Sequence, residues 1–175
     1  TGDCVGCHSF SRNGQKMSYA IRAPTYSVEY VSVVTSTPSI ALPGAQGGEA
    51  VWTAMHPDGT YSLVTNLNAQ LVLLDGTTGQ QVAQVNTSAA GMNATQAFWS
   101  PIGDQFAFVT GTQGINGVTD FANGEIWTMS FNVTGGQAQF GTPVQLAGPD
   151  VSGGTAYYPS YSPDGQYIVF CRAPS

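Results

Sequence analysis

The chain has 175 residues, of which 42% are hydrophobic and only 8% are charged, and its formal net charge is −6. This length and hydrophobic content suit one sizeable core or several small repeated units, and they exclude a disordered chain. The four Lys and Arg residues form no basic patch, so no nucleic-acid binding is expected, and no apolar run reaches the ~18 residues of a membrane span.

The first predicted feature is a Cys-x-x-Cys-His pattern made by Cys4, Cys7 and His8. This pattern is the signature of covalent haem c attachment. The two thiols add to the haem vinyl groups, and the adjacent histidine becomes an axial ligand of the iron. A structural zinc site needs four ligands and would have to recruit His56 or Cys171. A thioredoxin-like dithiol needs a βαβ unit that the sequence lacks, and a disulfide across two residues is strained. These alternatives stay open beside haem c.

Four segments then repeat around a shared glycine, which is Gly14, Gly59, Gly103 or Gly165. Glycine accepts the positive φ that a tight turn requires, and the flanks alternate apolar and polar residues as half-buried strands do. Two more strands are predicted in each of the first three periods, and Gly135-Gly136 is typical of a hairpin turn. The glycine- and asparagine-rich residues 111–124 are predicted to form an inserted loop. A repeat of about 45 residues without helical periodicity indicates a four-stranded propeller blade.

The repeats predict an all-β chain with blades at approximately 7–43, 51–86, 97–147 and 158–175. Three blades are whole and the fourth has only its first half. The stretch YPSYSPDGQYIVFCR resembles the repeat of TolB-type, WD-like β-propellers, in which an aromatic-Ser-Pro-Asp-Gly turn precedes a short apolar strand. The resemblance implies a propeller of a kind that often serves as a protein-interaction platform. Because a closed ring needs about 4–8 blades, we expect a fragment of a longer propeller, or a chain completed by another copy or by a second polypeptide.

Alignment of the repeats puts His8 in one column with Thr53, Ala97 and Pro159. This column is predicted at the beginning of the innermost strand, at the channel mouth opposite the Pro-Asp-Gly turns. Met92, in a loop predicted on the same face, is the candidate distal ligand of the iron, because a thioether is a normal axial ligand.

The remaining candidate ligands are predicted to have structural roles. His56 lies at the turn end of its strand and is expected to cap the turn. Met17, Met55 and Met129 are expected to pack in the core, and Cys171 is expected to be a small buried strand residue.

The predicted function is an exported c-type cytochrome domain, periplasmic or extracellular, whose single covalent haem transfers electrons. Its acidic surface favours a basic redox partner. Two alternatives belong to other classes. One is a protein-interaction scaffold, and the other is a haem-containing oxidoreductase whose catalytic centre lies outside this chain. No catalytic residue is predicted within the chain itself.

Overall fold

The computed structural model describes residues 5–21, 27–32, 37–42, 50–66, 68–91, 93–111, 123–149 and 154–174. These residues form fifteen β-strands and no helix. The described part of the chain therefore contains no helix that could cross a membrane. The strands are β1 (Val5–Phe10), β2 (Lys16–Ile21), β3 (Ser27–Ser32), β4 (Thr37–Leu42), β5 (Ala50–Met55), β6 (Tyr61–Asn66), β7 (Leu71–Asp75), β8 (Gln81–Gln84), β9 (Thr95–Trp99), β10 (Gln105–Thr110), β11 (Glu125–Thr134), β12 (Gln137–Phe140), β13 (Val144–Ala147), β14 (Thr155–Tyr161) and β15 (Ile168–Ala173).

Consecutive strands pair antiparallel and form separate sheets, as in the blades of a propeller. The first sheet contains β1 to β4, the second β5 to β8, the third β9 to β13, and the fourth β14 and β15. The first strand of each sheet contacts the first strand of the next. The strands β1, β5, β9 and β14 therefore lie side by side along a central channel. Three whole blades and the inner half of a fourth agree with the architecture that the repeats predict.

The hairpin between the first two strands of every blade turns on the shared glycine. The φ angles of these glycines lie between +68° and +79°, a region that an L side chain rarely adopts. Each glycine N–H donates to the carbonyl oxygen three residues earlier, at 2.8–3.1 Å. The same turn chemistry therefore closes the inner hairpin of each blade, at Gly14, Gly59, Gly103 and Gly165.

The third blade has one strand more than the other two whole blades. Its strand β11 is ten residues long, and it pairs with β13 along its first part and with β12 along its last part. Gly135 and Gly136 form the loop between β11 and β12 with φ angles of +59° and +78°, as a type I′ hairpin requires. The sequence predicts this hairpin but not the pairing of β12 as an extra strand. Residues 112–122 of the predicted inserted loop lie outside the described residues.

The main hydrophobic core lies between the second and third blades. Trp99 of β9 is 4% exposed, packs edge-on against Phe106 and Phe131, and donates its Nε1–H to Ala54 O at 3.0 Å. Each large apolar side chain buried here contributes about 1.5–3 kcal/mol. This core fixes the two blades against each other and thereby positions β5 and β9 at the channel.

The predicted core methionines are placed mostly as expected. Met55 and Met129 are 3% and 1% exposed, which confirms their packing role, whereas Met17 is half-buried. The prediction for Cys171 is wrong, because its side chain is exposed. Ile168 and Phe170 of β15 pack against the third blade, so Cys171 points to the other face of the sheet, where the described residues form no further blade.

Candidate functional site in the central channel

The inner strands of the four blades line an open cavity of about 470 Å³. Each strand contributes three consecutive residues to its wall, namely 8–10, 52–54, 96–98 and 158–160. This volume lies within the ~300–1,000 Å³ range of ligand pockets. The repeat that builds the blades thus also builds the cavity, with one segment from each blade.

The predicted column of His8, Thr53, Ala97 and Pro159 faces this cavity in all four blades. Its position along the strand differs from the prediction. Each of these residues lies two positions before the end of its strand, and not at the beginning. The cavity therefore lies inside the channel, nearer to the Pro-Asp-Gly turns than the alignment suggests.

A β-bulge presents His8 to the cavity. Gly6 pairs with Ala20 and Ser9 pairs with Ser18, so Cys7 and His8 together lie opposite the single residue Tyr19. A bulge leaves one residue outside the ladder and redirects its neighbours, and bulges are frequent beside active sites. The last two residues of the Cys-x-x-Cys-His motif thus occupy a position where the backbone is released from regular pairing.

The same bulge recurs in the third and fourth blades. Residues 96 and 97 together oppose one residue of β10, and residues 158 and 159 together oppose one residue of β15. The first residue of each bulge is in the left-handed region, with φ of +51° at Gln96 and +53° at Tyr158. In the second blade the irregularity comes earlier, between Ala50 and Trp52. Cys7 therefore occupies the same repeat position as Trp52, Gln96 and Tyr158.

The imidazole of His8 is exposed, and the edge-on ring of Phe10 lies 5.9 Å from it between centroids. Cys7 lies in β1, directly before His8. Cys4 and Met92 lie outside the described residues, so their positions relative to the cavity are not tested. Within the described residues no three His, Cys, Asp or Glu side chains are grouped to hold a metal ion.

The other histidine has the structural role that the sequence predicts. His56 is 8% exposed, its Nε2 donates to Gly103 O at 3.1 Å, and its Nδ1 lies 2.6 Å from Asp58 Oδ1. Burial alone would raise the pKa of Asp58, but hydrogen bonds from Thr60 and the contact with His56 outweigh it and lower the pKa below 3.8. Because both ring nitrogens already have hydrogen-bond partners, His56 has no free nitrogen to coordinate zinc in this arrangement.

The turn end of the channel has a second cavity of about 290 Å³. Arg12 takes the place that proline has in the other turns, and its guanidinium donates to Pro101 O at 2.8 Å. This bond joins the first blade to the third. Arg12 is not predicted as a site residue from the sequence, although it departs from the repeat at its position.

Tyr161 also lines this cavity. Its burial raises its pKa to about 12, and the nearby charge of Asp104 adds to this effect. The hydroxyl of Tyr161 therefore stays neutral.

No protein family and no curated protein matches the sequence. Solved structures with the same fold do match. TolB from Acinetobacter baumannii is 20% identical, with a TM-score of 0.66, over 99% of this chain and 39% of that chain. The Cps50 (Swd1) β-propeller domain from Myceliophteria thermophila is 16% identical, with a TM-score of 0.60, over 97% of this chain and 50% of that chain. A chain of the Mitotic Checkpoint Complex is 16% identical, with a TM-score of 0.59, over 95% of this chain and 47% of that chain.

These similarities confirm the β-propeller fold with TolB-like and WD-like relatives in structure. The identities are too low to carry a function across, because one fold hosts many functions. The chain spans between 39% and 50% of the length of these three neighbours.

Proposed function

We propose that this chain is a c-type cytochrome domain built on a propeller, with one haem attached through Cys4 and Cys7 and ligated by His8. The observation that carries the proposal is the position of His8 on a bulge that faces the aromatic-lined central cavity. Such a haem supplies reversible one-electron chemistry when it is bound. Electron transfer is therefore the proposed activity.

The residues of the described cavity suit a haem. A haem needs an axial imidazole and a largely apolar wall that keeps water from the iron. His8 offers the imidazole, and the rings of Phe10, Trp52, Phe98 and Tyr158 line the same cavity. The ring of Phe10 lies edge-on to the His8 ring, with 5.9 Å between their centroids. The chain would thus bind the group and supply its imidazole ligand.

Mass spectrometry of the mature protein tests the attachment. The chain is exported in a bacterial host that has a cytochrome c maturation system, and its intact mass and absorption spectrum are measured after acid-acetone extraction. We expect the mass to exceed that of the polypeptide by one haem and the Soret band to remain with the protein. The double variant Cys4→Ser/Cys7→Ser should lose both signals.

Cys171→Ser is the matched control, because it removes an exposed thiol outside the motif. It should retain the haem in full. A colourless wild-type protein of unmodified mass, obtained from a host that matures other c-type cytochromes, would overturn the proposal.

Met92 is proposed as the distal ligand on chemical grounds alone, since a thioether is a normal partner of haem iron opposite histidine. Met92→Ala should abolish the charge-transfer band of sulfur-ligated ferric haem, and the iron should then bind small exogenous ligands. Met17→Leu, which changes a half-buried methionine of β2, should preserve the band. An unchanged spectrum of Met92→Ala would assign the distal position to another group.

We further propose export to the periplasm or the cell exterior, where c-type haem is attached, and a basic redox partner. The formal charge of −6 supports such a partner, because complementary charge raises association rates and is screened by salt. Electron transfer to a basic cytochrome should therefore slow as the ionic strength rises. A rate that is independent of salt would contradict the role of charge.

A protein-interaction scaffold is the second candidate function. Val144 and Leu146 of β13 are 58% and 51% exposed, and one structural neighbour belongs to the Mitotic Checkpoint Complex. A second copy or another polypeptide that adds to the incomplete ring would cover such surfaces. A haem-containing oxidoreductase with its catalytic centre elsewhere is distinguished by turnover of small nitrogen or oxygen substrates, which a pure electron carrier lacks.

A further inference from the structure

Arg12 is the cation that faces the central channel in the described part of the chain. The chain has four Lys and Arg residues, and three of them, Arg12, Lys16 and Arg172, lie within the described residues. The Nζ of Lys16 is bonded to Gly59 O and Thr77 Oγ1, each at 2.9 Å, away from both channel cavities. Arg172 lies on β15 and also lines neither cavity. Of the three, Arg12 alone lines the channel.

The guanidinium of Arg12 has donors that its described bond does not use. It donates from Nη1 to Pro101 O at 2.8 Å, and a guanidinium has five N–H groups. Arg12 is exposed and forms no ion pair with a described carboxylate. The carbonyl of Pro101 is neutral, so it leaves the positive charge of Arg12 uncompensated. The planar guanidinium suits two parallel bonds to a carboxylate, and its exposed N–H groups are accessible to one.

The cavity that Arg12 lines continues into the cavity that His8 faces. Both cavities are lined by the same four residues, Ser9, Phe10, Ala54 and Phe98. Phe10 and Phe98 are 50% and 42% exposed, so two aromatic rings offer apolar surface between the imidazole and the guanidinium. His8 and Arg12 are four residues apart, a span of about 13 Å along an extended chain. No Asp or Glu occurs among the described residues that line either cavity, so the walls place no like charge beside an incoming carboxylate.

The direction of β1 decides which edge of a bound haem would approach Arg12. The vinyl groups that react with the two cysteines and the two propionates lie on opposite edges of a haem. Cys7 directly precedes His8 in β1, so the thioether edge would face the beginning of this strand. The propionate edge would then face the end of β1 and the turn that follows it, where Arg12 lies.

We propose that the guanidinium of Arg12 binds a propionate carboxylate of the haem. This inference rests on the proposed function, because it assumes that a haem is attached at the Cys-x-x-Cys-His motif. Arg12 is then a binding residue supplied by the same strand and turn that supply the axial imidazole. The equivalent positions of the other three turns hold Pro57, Pro101 and Pro163, which have no side-chain donor. The departure from proline thus occurs in the blade that carries the motif.

The variant Arg12→Leu tests this bond. Resonance Raman spectroscopy of the ferric protein measures the propionate bending mode, which shifts when a hydrogen bond to the carboxylate is lost. We expect a shift in Arg12→Leu. Arg172→Leu is the matched control, because it removes the same charge from an exposed guanidinium that also donates to a backbone carbonyl, Gly148 O at 3.3 Å. It should leave the bending mode unchanged, and an equal shift in this control would overturn the proposal.

Arg12→Lys carries the test if Arg12→Leu does not fold. It keeps the positive charge, but an ammonium cannot make the two parallel bonds of a guanidinium, so the bending mode should again shift. A wild-type frequency in Arg12→Leu, or in Arg12→Lys where that variant carries the test, overturns the role of Arg12.

The two levels of the proposal fail in different ways. The intact mass and the Soret band of each variant are measured first, and they report haem attachment independently of Arg12. Absence of haem from the wild-type protein defeats the proposed function. Covalent haem with a propionate mode that is insensitive to residue 12 defeats only the role of Arg12.

Discussion

Gly103→Ala is the substitution whose cost the structure defines most closely. Gly103 has φ +79°, and a Cβ built on it would lie 2.0 Å from His56 Nε2. Alanine in the left-handed region costs about 1–2 kcal/mol. His56 must also move, so its 3.1 Å bond to Gly103 O is lost, which costs about 1–3 kcal/mol for a buried group. We therefore expect a total loss of about 2–5 kcal/mol in the free energy of unfolding.

Urea denaturation followed by circular dichroism measures this loss, and Gly14→Ala is the matched control. Gly14 has φ +68° at the same turn position, but an added Cβ there meets no atom within 4 Å. Gly14→Ala should show only the backbone cost of about 1–2 kcal/mol. In a His56→Ala background, Gly103→Ala should cost no more than this control. Equal losses for the two single variants in the wild-type background would refute the role of the contact with His56.

Three further outcomes are expected. Trp99→Phe should lower the free energy of unfolding by about 1–3 kcal/mol, because it removes the shorter of two side-chain hydrogen bonds to the buried Ala54 O, from Trp99 Nε1 at 3.0 Å and Ser62 Oγ at 3.4 Å. Trp127→Phe, at a half-buried position, should cost less in the same urea titration. Folding lowers the pKa of Asp58 below its usual value of 3.8, so the ionised carboxylate stabilises the folded protein fully above pH 3.8 and loses this effect as the pH falls through the lowered pKa. The stability difference between wild type and Asp58→Asn should therefore shrink in an acid titration. A thiol reagent should label Cys171 in the native protein without unfolding, and slow labelling would contradict its exposure.

The blades were predictable because each depends on local sequence. A glycine that accepts positive φ, preceded by turn residues and flanked by alternating apolar residues, specifies a hairpin without help from distant parts of the chain. The exposure of Cys171 was not predictable in this way. The apolar pattern of QYIVFC indicates a buried strand, but the burial of Cys171 depends on whether another blade packs on its face of the sheet, and the strand sequence itself carries no such information.

The site was predictable only in part, for a related reason. Alignment of the repeats gives the column that contains His8, because equivalent positions of equivalent blades face the same channel. It does not give the position of that column along the strand, because two to four residues before the column also belong to each inner strand. The bond from the Tyr158 N–H to Gln96 Oε1 of the preceding blade was not predictable either, because a hydrogen bond between two blades has no sequence signature.

The bulges explain how one repeat can carry different chemistry in each blade. A residue in a regular ladder is constrained by its pairs on both sides, so its replacement disturbs the sheet. The extra residue of a bulge is outside the ladder, and Gln96 and Tyr158 line the cavity from such positions. Their two blades otherwise share the turn and strand pattern. The backbone of the inner strand therefore permits an amide or a phenol at the cavity while the blade remains intact, so the cavity can differ from blade to blade without a change of fold.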